Sequence, residues 1–278
     1  MMGSMAAFTL NDTMTKTTGG EVPLFQLLFL RGLISISLIL VLWGRLGPMH
    51  LRLSRRDWKL VGIRSASEVG ASFFFVTALF NMPLANLSAI LQSLPLTVTL
   101  GAALFYREAV GWKRMSAILV GFIGVMLIVK PGTAGFNIWS VYALVAVFFV
   151  TIRDLSTRRL SGDVPSMTVT LAAVLSVTIF SGLAQLATPW APVSGAHWTA
   201  IAAAAVFVLM GYYFSVQTMR IGEVSFIAPF RYTGLIWALI LGWFVFGDWP
   251  LPSTLAGAGI VAATGLFTLY RERTLSRR

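Results

Sequence analysis

Charged side chains inside long apolar runs are the residues of this sequence that could do chemistry. Arg31 stands eight residues into the second apolar run, and Arg64 and Glu68 stand within the third. A charge at membrane depth costs about 3 kcal/mol on insertion scales, so such residues face a cavity or a partner. A guanidinium there can bind an anionic or carbonyl-bearing substrate. A carboxylate there can bind a substrate cation or carry a proton.

Each of these charges also has a purely structural interpretation. Arg31 can pair with Asp12 or with Glu68 on a neighbouring helix. Arg64 and Glu68 lie four residues apart, so they share one helix face and can pair with each other. Asp12 is a second deep carboxylate and a second proton-coupling candidate, and its alternative is a helix-end partner for Lys16.

A second group of candidates stands beside prolines. Gln92 and the pair Arg231–Tyr232 each lie close to a proline, which frees a backbone carbonyl and can bend a helix. Polar groups beside such bends are candidates for a substrate site. Trp237 could form a wall for a planar ligand. The alternatives are an interhelical hydrogen bond for Gln92 and ordinary packing for Trp237.

The composition is that of a membrane protein. The chain is 57% hydrophobic and 11% charged, with a mean hydropathy of +0.81, whereas soluble domains carry about 25% charged residues. Cysteine is absent, so there is no disulfide framework or thiolate metal site. His50 and His197 are far apart without nearby carboxylates, which argues against zinc and against a membrane enzyme.

Ten runs are long and apolar enough to cross a bilayer, which needs roughly 20 residues. We predict spans at about 2–18, 24–44, 59–80, 84–106, 113–130, 138–157, 166–187, 197–219, 224–246 and 253–270. The first is short and polar, which leaves open a start further upstream. Glycines in "GFIGV" and "GAGIV" predict close helix packing.

The basic residues set the expected orientation. With a cytoplasmic N-terminus, Lys130 is the one basic residue of the outer loops, against fifteen in the inner loops and tail. Both termini are therefore expected to be cytoplasmic. These charges flank spans instead of forming a groove with stacking aromatics, which argues against nucleic-acid binding despite the net charge of +11.

An internal repeat organises the chain. "TLNDTMTKTTGGEVP" from Thr9 aligns without a gap with "TIRDLSTRRLSGDVP" from Thr151. Further along, "FFFVTALFNMPLA" from Phe73 aligns with "YFSVQTMRIGEVS" from Tyr213. Five spans separate the two copies of the first segment, so the second half is inverted in the membrane.

The repeat boundary follows from this alignment. We predict one repeat at 1–136 and the other at 137–278. Within the first aligned segment, Arg153 of the second copy replaces Asn11 of the first. Arg153 is expected to snorkel toward the inner face.

The ordered motifs resemble the EamA-type members of the drug/metabolite transporter superfamily. They are "FTLNDTMTK", "PLFQLLFLRG", "ALFNMPLANLSAILQSLPL", "GFIGVMLIVKPG", "PFRYTGLIWALILGWFVFGDWP" and "GAGIVAATGLFTLY". The resemblance implies ten helices, both termini cytoplasmic, and secondary transport of a small metabolite. The beginning looks most like a subgroup that includes riboflavin and S-adenosylmethionine carriers.

The sequence thus predicts an all-α membrane protein of two inverted five-helix repeats. It indicates an inner-membrane secondary transporter for a vitamin, amino acid or organic anion, with alternating access and proton coupling as hypotheses. A flippase-type or non-transporting membrane subunit is the alternative. The expected partners are a small-molecule substrate and the lipid bilayer, with a homodimer left open, and no cofactor is implied.

Overall fold

The computed structural model of the chain describes residues 1–46, 50–107, 111–130, 136–221 and 228–276. Every regular element within those ranges is helical. The α-helices are α1 Met2–Thr17, α2 Leu24–Val41, α3 Trp43–Leu46, α4 Arg55–Asn81, α5 Leu84–Leu91, α6 Leu94–Tyr106, α7 Trp112–Val129, α8 Ile138–Arg158, α9 Ser166–Gln185, α10 Gly195–Ile221, α11 Thr233–Phe246 and α12 Pro252–Ser276.

These helices confirm the predicted ten-helix membrane fold. In the part of the chain that the structure describes, eight spans are long and apolar enough to cross a membrane, α5 and α6 together counting as one. The other two predicted crossings are α1, which is rich in polar residues, and the shorter apolar helix 230–246. The first four residues of the predicted ninth span, 224–227, lie outside the described ranges.

Two of the crossings are irregular at equivalent places. The fourth is broken between α5 and α6 at Gln92 and Ser93, with Pro95 in the first turn of α6. The ninth begins as a 3₁₀ helix, Ala228–Tyr232, and becomes α-helical at Thr233. The predicted bends beside the prolines are therefore present. Gln92 and Tyr232 are repeat counterparts in the same register that aligns the "FFFVTALFNMPLA" segment with its copy.

The helix pairings obey a pseudo-two-fold relation. Helix α1 packs against α10 as α8 packs against α4, and α2 packs against α10 as α9 packs against α4. Two further pairings, α2 with α9 and α7 with α12, join elements that are each other's counterparts. Each half therefore inserts its first helix against the third helix of the other half. The cavity described below lies between α2 and α4 of the first half and α9 and α10 of the second.

Glycines bring α7 and α12 into close contact, as "GFIGV" and "GAGIV" predicted. A Cβ added to Gly124 would lie 2.8 Å from the backbone oxygen of Gly257. A Cβ added to Gly257 would lie 2.5 Å from the backbone oxygen of Gly124. Small residues at such a crossing permit the van der Waals packing that holds helices together in lipid.

Candidate functional site: a charged cavity between the repeats

A small cavity lies between α2, α4, α9 and α10, at the boundary of the two repeats. Its volume is about 60 Å³. Its charged and aromatic lining comes from Arg31 on α2, Arg64 and Glu68 on α4, and Tyr212 on α10. The hydroxyl-bearing residues of the lining are Ser35, Ser72, Thr170 and Thr178. The sequence predictions for Arg31 and Glu68 thus fall on one enclosed space.

Glu68 is the centre of the charges, and it is held from both repeats. Arg153 Nη1 on α8 donates a hydrogen bond to Glu68 Oε1 at 3.4 Å. Arg64 Nη1 lies 3.9 Å from Glu68 Oε2, one turn away on the same helix. This second carboxylate oxygen is buried and accepts no hydrogen bond from the described residues. A buried acceptor without a donor is costly, so it is a position where a substrate donor would be stabilised.

Arg153 behaves differently from the expectation that it would snorkel inward. Its Nε donates to Asp154 Oδ1 at 2.9 Å, and its Nη1 reaches across to Glu68. A guanidinium offers five donors in a planar fork, so one side chain can bond two carboxylates at once. Arg153 therefore bonds a carboxylate on its own helix and a second one on α4.

Arg31 occupies the other side of the cavity. Its Nη1 donates to Asn11 Oδ1 at 3.3 Å and to Thr15 Oγ1 at 3.5 Å, both on α1. Asn11 in turn donates from Nδ2 to Asp12 Oδ1 at 2.9 Å. Asp12 therefore belongs to the Arg31 side of the network. Lys16, its alternative partner, instead donates to the backbone oxygens of Leu79 and Met82 at the end of α4.

The remaining predicted residues lie outside the lining of this cavity. The Gln92 amide packs against Gly234 of α11, where the two irregular crossings meet. Tyr232 is buried with its ring against Gly265 of α12, and Trp237 also lies on the α11 side of the bundle. Arg231 is half-buried at the end of the 3₁₀ helix. Their roles in substrate binding stay predictions.

Tyr212 and Arg153 join the charged network, although the sequence did not predict a place there for either residue. Tyr212 lines the cavity and interacts electrostatically with Glu68 and all three arginines of the network. The repeat alignment contains the missing signal, because Tyr212 is the counterpart of Ser72 on the charged face of α4. Arg153 is likewise the counterpart of Asn11, which bonds Arg31.

The cavity in this arrangement is too small for a metabolite. A volume of about 60 Å³ is well below the roughly 300–1,000 Å³ of ligand pockets. In this arrangement the space beside Arg31 and Glu68 therefore does not hold a vitamin-sized molecule.

Comparison with known proteins identifies the family. The profile of the EamA-like transporter family matches residues 1–130 and 137–270, one match in each half of the chain. The chain belongs to the EamA-like transporter family. It is therefore a multi-pass membrane transporter of the drug/metabolite transporter superfamily and not an enzyme.

Relatives of this EamA transporter carry several kinds of solute. It is 30% identical over 247 residues to the riboflavin transporter of Vibrio cholerae serotype O1, covering 88% of this chain and 82% of that one. It is 26% identical over 283 residues to the S-adenosylmethionine uptake transporter of Rickettsia felis, covering 99% and 92%. It is 25% identical over 287 residues to the pseudopaline exporter CntI of Pseudomonas aeruginosa, covering 98% and 96%.

A solved crystal structure shares the fold. The match has a TM-score of 0.67 at 20% sequence identity and covers 96% of this EamA transporter and 95% of that chain. At this identity the likeness concerns the fold alone. The relatives named for uptake and for export share one family, so family membership gives transport of small metabolites without giving its direction.

Proposed function

We propose that this chain is a secondary active transporter that carries one small metabolite across the inner membrane by alternating access. The observation that carries the proposal is the charged cavity at membrane depth, between two halves that each match the family profile. The distribution of basic residues supports cytoplasmic positions for both termini. The repeats rock about the cavity, so that Arg31 and Glu68 face each side of the membrane in turn.

The substrate has both an acceptor and a donor. Among the described residues, Arg31 makes long hydrogen bonds of 3.3 and 3.5 Å to the neutral side chains of Asn11 and Thr15. Its guanidinium can therefore turn to a carboxylate, phosphate or carbonyl of the substrate. Glu68 offers an oxygen without a hydrogen-bond donor to an amine or amide of the same molecule. Vitamins, amino acids and organic anions with a polar nitrogen all meet this requirement.

Four further residues complete the site when the cavity opens. Gln92, Arg231, Tyr232 and Trp237 lie on or beside the two irregular crossings. Irregular helices at corresponding positions of the two repeats are common around transporter sites, because freed backbone groups and nearby polar side chains can reach the substrate there. Separation of α11 from α1 would bring this second group toward the cavity.

Protons drive the transport in this proposal, with Glu68 as the main carrier and Asp12 as the second. Glu68 exchanges its proton as Arg153 moves with the other repeat. The test is uptake of labelled riboflavin and S-adenosylmethionine into liposomes containing the purified protein, with and without a pH gradient. We expect the gradient to accelerate uptake of one solute at least fivefold and Glu68→Gln to abolish that acceleration. Uptake that keeps its pH dependence in Glu68→Gln would refute the coupling.

A further inference from the structure

Among the side-chain contacts that join the repeats, one pair lies at each end of the bundle. At the end of the α1–α2 connection, Gln26 Nε2 donates to the backbone oxygen of Ala191 at 2.8 Å. The backbone nitrogen of Ala191 donates to Gln26 Oε1 at 2.9 Å. Gln26 lies in the first turn of α2 in the first repeat, and Ala191 belongs to the α9–α10 connection of the second. The amide side chain therefore binds both backbone groups of one residue in the opposite repeat.

The opposite end repeats this arrangement with a different side chain. Thr168 Oγ1 donates to the backbone oxygen of His50 at 2.9 Å and accepts from the backbone nitrogen of His50 at 3.2 Å. Thr168 is the repeat counterpart of Gln26, in the register that aligns Thr9 with Thr151. His50 precedes α4 as Ala191 precedes α10. Again one buried side chain satisfies both backbone groups of a single residue in the other repeat.

A second contact accompanies each of these. Next to Thr168, Asp57 Oδ1 accepts from the backbone nitrogen and the hydroxyl of Ser161, each at 3.1 Å. Next to Gln26, His197 Nδ1 lies 3.7 Å from Glu21 Oε2. Asp57 and His197 are repeat counterparts, and each stands in the first turn of the third helix of its repeat. The two contacts occupy equivalent positions in the repeats, but their side chains are chemically different.

The two ends are not equally secured. Asp57 is 3% exposed and also accepts a hydrogen bond from the hydroxyl of Ser54, the N-cap residue of α4. Glu21 has a side chain that is 76% exposed. The exposed Glu21–His197 contact contributes little because water screens it, whereas separating Ser161 from Asp57 removes two donors from a buried carboxylate. The Glu21 end should therefore open more readily than the Asp57 end.

We propose that these contacts are two equivalent latches that close the cavity alternately, Gln26–Ala191 with Glu21–His197 at one end and Thr168–His50 with Asp57–Ser161 at the other. The inference rests on the proposed alternating access and assigns it specific residues. Each latch crosses from one repeat to the other, so rocking of the repeats must break one while the other holds. The side chains of Gln26, Glu21, Thr168 and Asp57 act as positioning residues and do not touch the substrate.

Thiol labelling tests the latches without any solute. The chain has no cysteine, so Ser35→Cys places a single reporter in the cavity lining. A membrane-impermeant methanethiosulfonate is added to either face of oriented vesicles. We expect Gln26→Ala to raise the labelling rate at least fivefold from the α1–α2 face only, and Thr168→Val to raise it from the opposite face only. Asp57→Asn should likewise act on that opposite face, and Glu21→Gln on the first face with a smaller change.

Matched controls separate latch loss from general loosening. Gln185 is as buried as Gln26, but within the described part of the chain its amide donates to the backbone oxygens of Thr188 and Pro189 of its own repeat. Thr268 is a buried threonine that donates within its own helix. Gln185→Ala and Thr268→Val should leave both labelling rates within twofold. Equal increases from both faces in the latch variants, or increases in the controls, would overturn the proposal.

A cross-link gives the reverse test if a latch variant folds poorly. Gln26→Cys with Ala191→Cys should form a disulfide that blocks labelling of the Ser35→Cys reporter from the α1–α2 face, with recovery after reduction. Persistent labelling in the oxidised protein would refute the latch. Because no solute is involved, failed transport in the liposome assay would count against the proposed function while the labelling pattern still decides on the latches.

Discussion

The two repeats have the same helices and pairings but very different charges at the cavity. The first repeat contributes Arg31, Arg64 and Glu68, whereas their counterparts in the second repeat are Ala173, Ala204 and Val208. Ala173 and Val208 line the same cavity from the other side. The scaffold is thus duplicated, whereas the charged lining residues Arg31, Arg64 and Glu68 belong to one half. We infer that the shared scaffold serves the motion and that the asymmetric charges serve recognition.

Removing Glu68 should have the largest effect on stability. Glu68→Leu leaves Arg64 and Arg153 buried near each other without their shared carboxylate, at a cost of about 3–5 kcal/mol in the free energy of unfolding. The matched change in the second repeat, Val208→Ala, removes only methyl groups and should cost about 1 kcal/mol. Denaturant unfolding in detergent compares the two. Equal losses of unfolding free energy in the two variants would contradict the asymmetry between the repeats.

Arg31 should matter more for binding than for folding. Its hydrogen bonds to Asn11 and Thr15 are long, and both acceptors are neutral. Arg31→Ala should therefore lower the free energy of unfolding less than Glu68→Leu does. A lost charge-assisted bond to the substrate costs about 1.5–3 kcal/mol, or roughly 10- to 150-fold in Kd. The Kd of Arg31→Lys should lie between those of the unchanged protein and Arg31→Ala, because lysine keeps the charge and loses the planar fork. Calorimetric titration measures this, and an unchanged Kd in Arg31→Ala would remove Arg31 from the site.

At the α7–α12 crossing, matched substitutions in the two repeats should lower stability by similar amounts, in contrast to those at the cavity. Gly124→Val and Gly257→Val each force a side chain against the facing glycine, at about 1–3 kcal/mol of overpacking. Gly259→Val is the control, because a Cβ there meets no atom of the described residues within 4 Å. Thermal unfolding should show two similar losses and a near-neutral control. A large difference between Gly124→Val and Gly257→Val would mean that the scaffold is as asymmetric as the charges.

The smallest effects are expected at the two irregular crossings. Gln92→Leu and Tyr232→Phe each remove a polar group that lies outside the cavity lining in this arrangement. Each should lower affinity only a few-fold, and by similar amounts, because the two positions are equivalent in the repeats. Titration with the same ligand provides the measurement. A tenfold or larger loss in either variant would extend the binding site well into α11.

Much of the fold follows from local sequence properties. Hydropathy places the ten spans, the gapless alignment of Thr9 with Thr151 reveals the repeat, and Pro95 and Pro229 mark the irregular crossings. The depth of Arg31 and Glu68 within their helices identifies them as cavity residues. All of these depend on distances along the chain, which the sequence contains directly.

Partners across helices could not be predicted in the same way. Which face of α8 turns toward α4 depends on packing, so the contact between Arg153 and Glu68 was not anticipated. Lys16 similarly bonds carbonyls at the end of α4 and not Asp12. Tyr232 packs against Gly265, a contact that needs the third dimension. Each of these contacts depends on how the helices are rotated about their axes, and helical periodicity alone does not determine that rotation.

A ligand screen by thermal shift tests the central claim most directly, namely that recognition resides in the Arg31–Glu68 cavity. Purified protein is heated with vitamins, amino acids, nucleosides and organic acids beside Arg31→Ala, Arg231→Ala and the surface control Lys113→Ala. A ligand at a hundred times its Kd should add about 2.7 kcal/mol to stability. The account predicts a shift that is lost in Arg31→Ala and kept in Lys113→Ala, with Arg231→Ala reporting how far the site extends. A shift that survives in Arg31→Ala would contradict it.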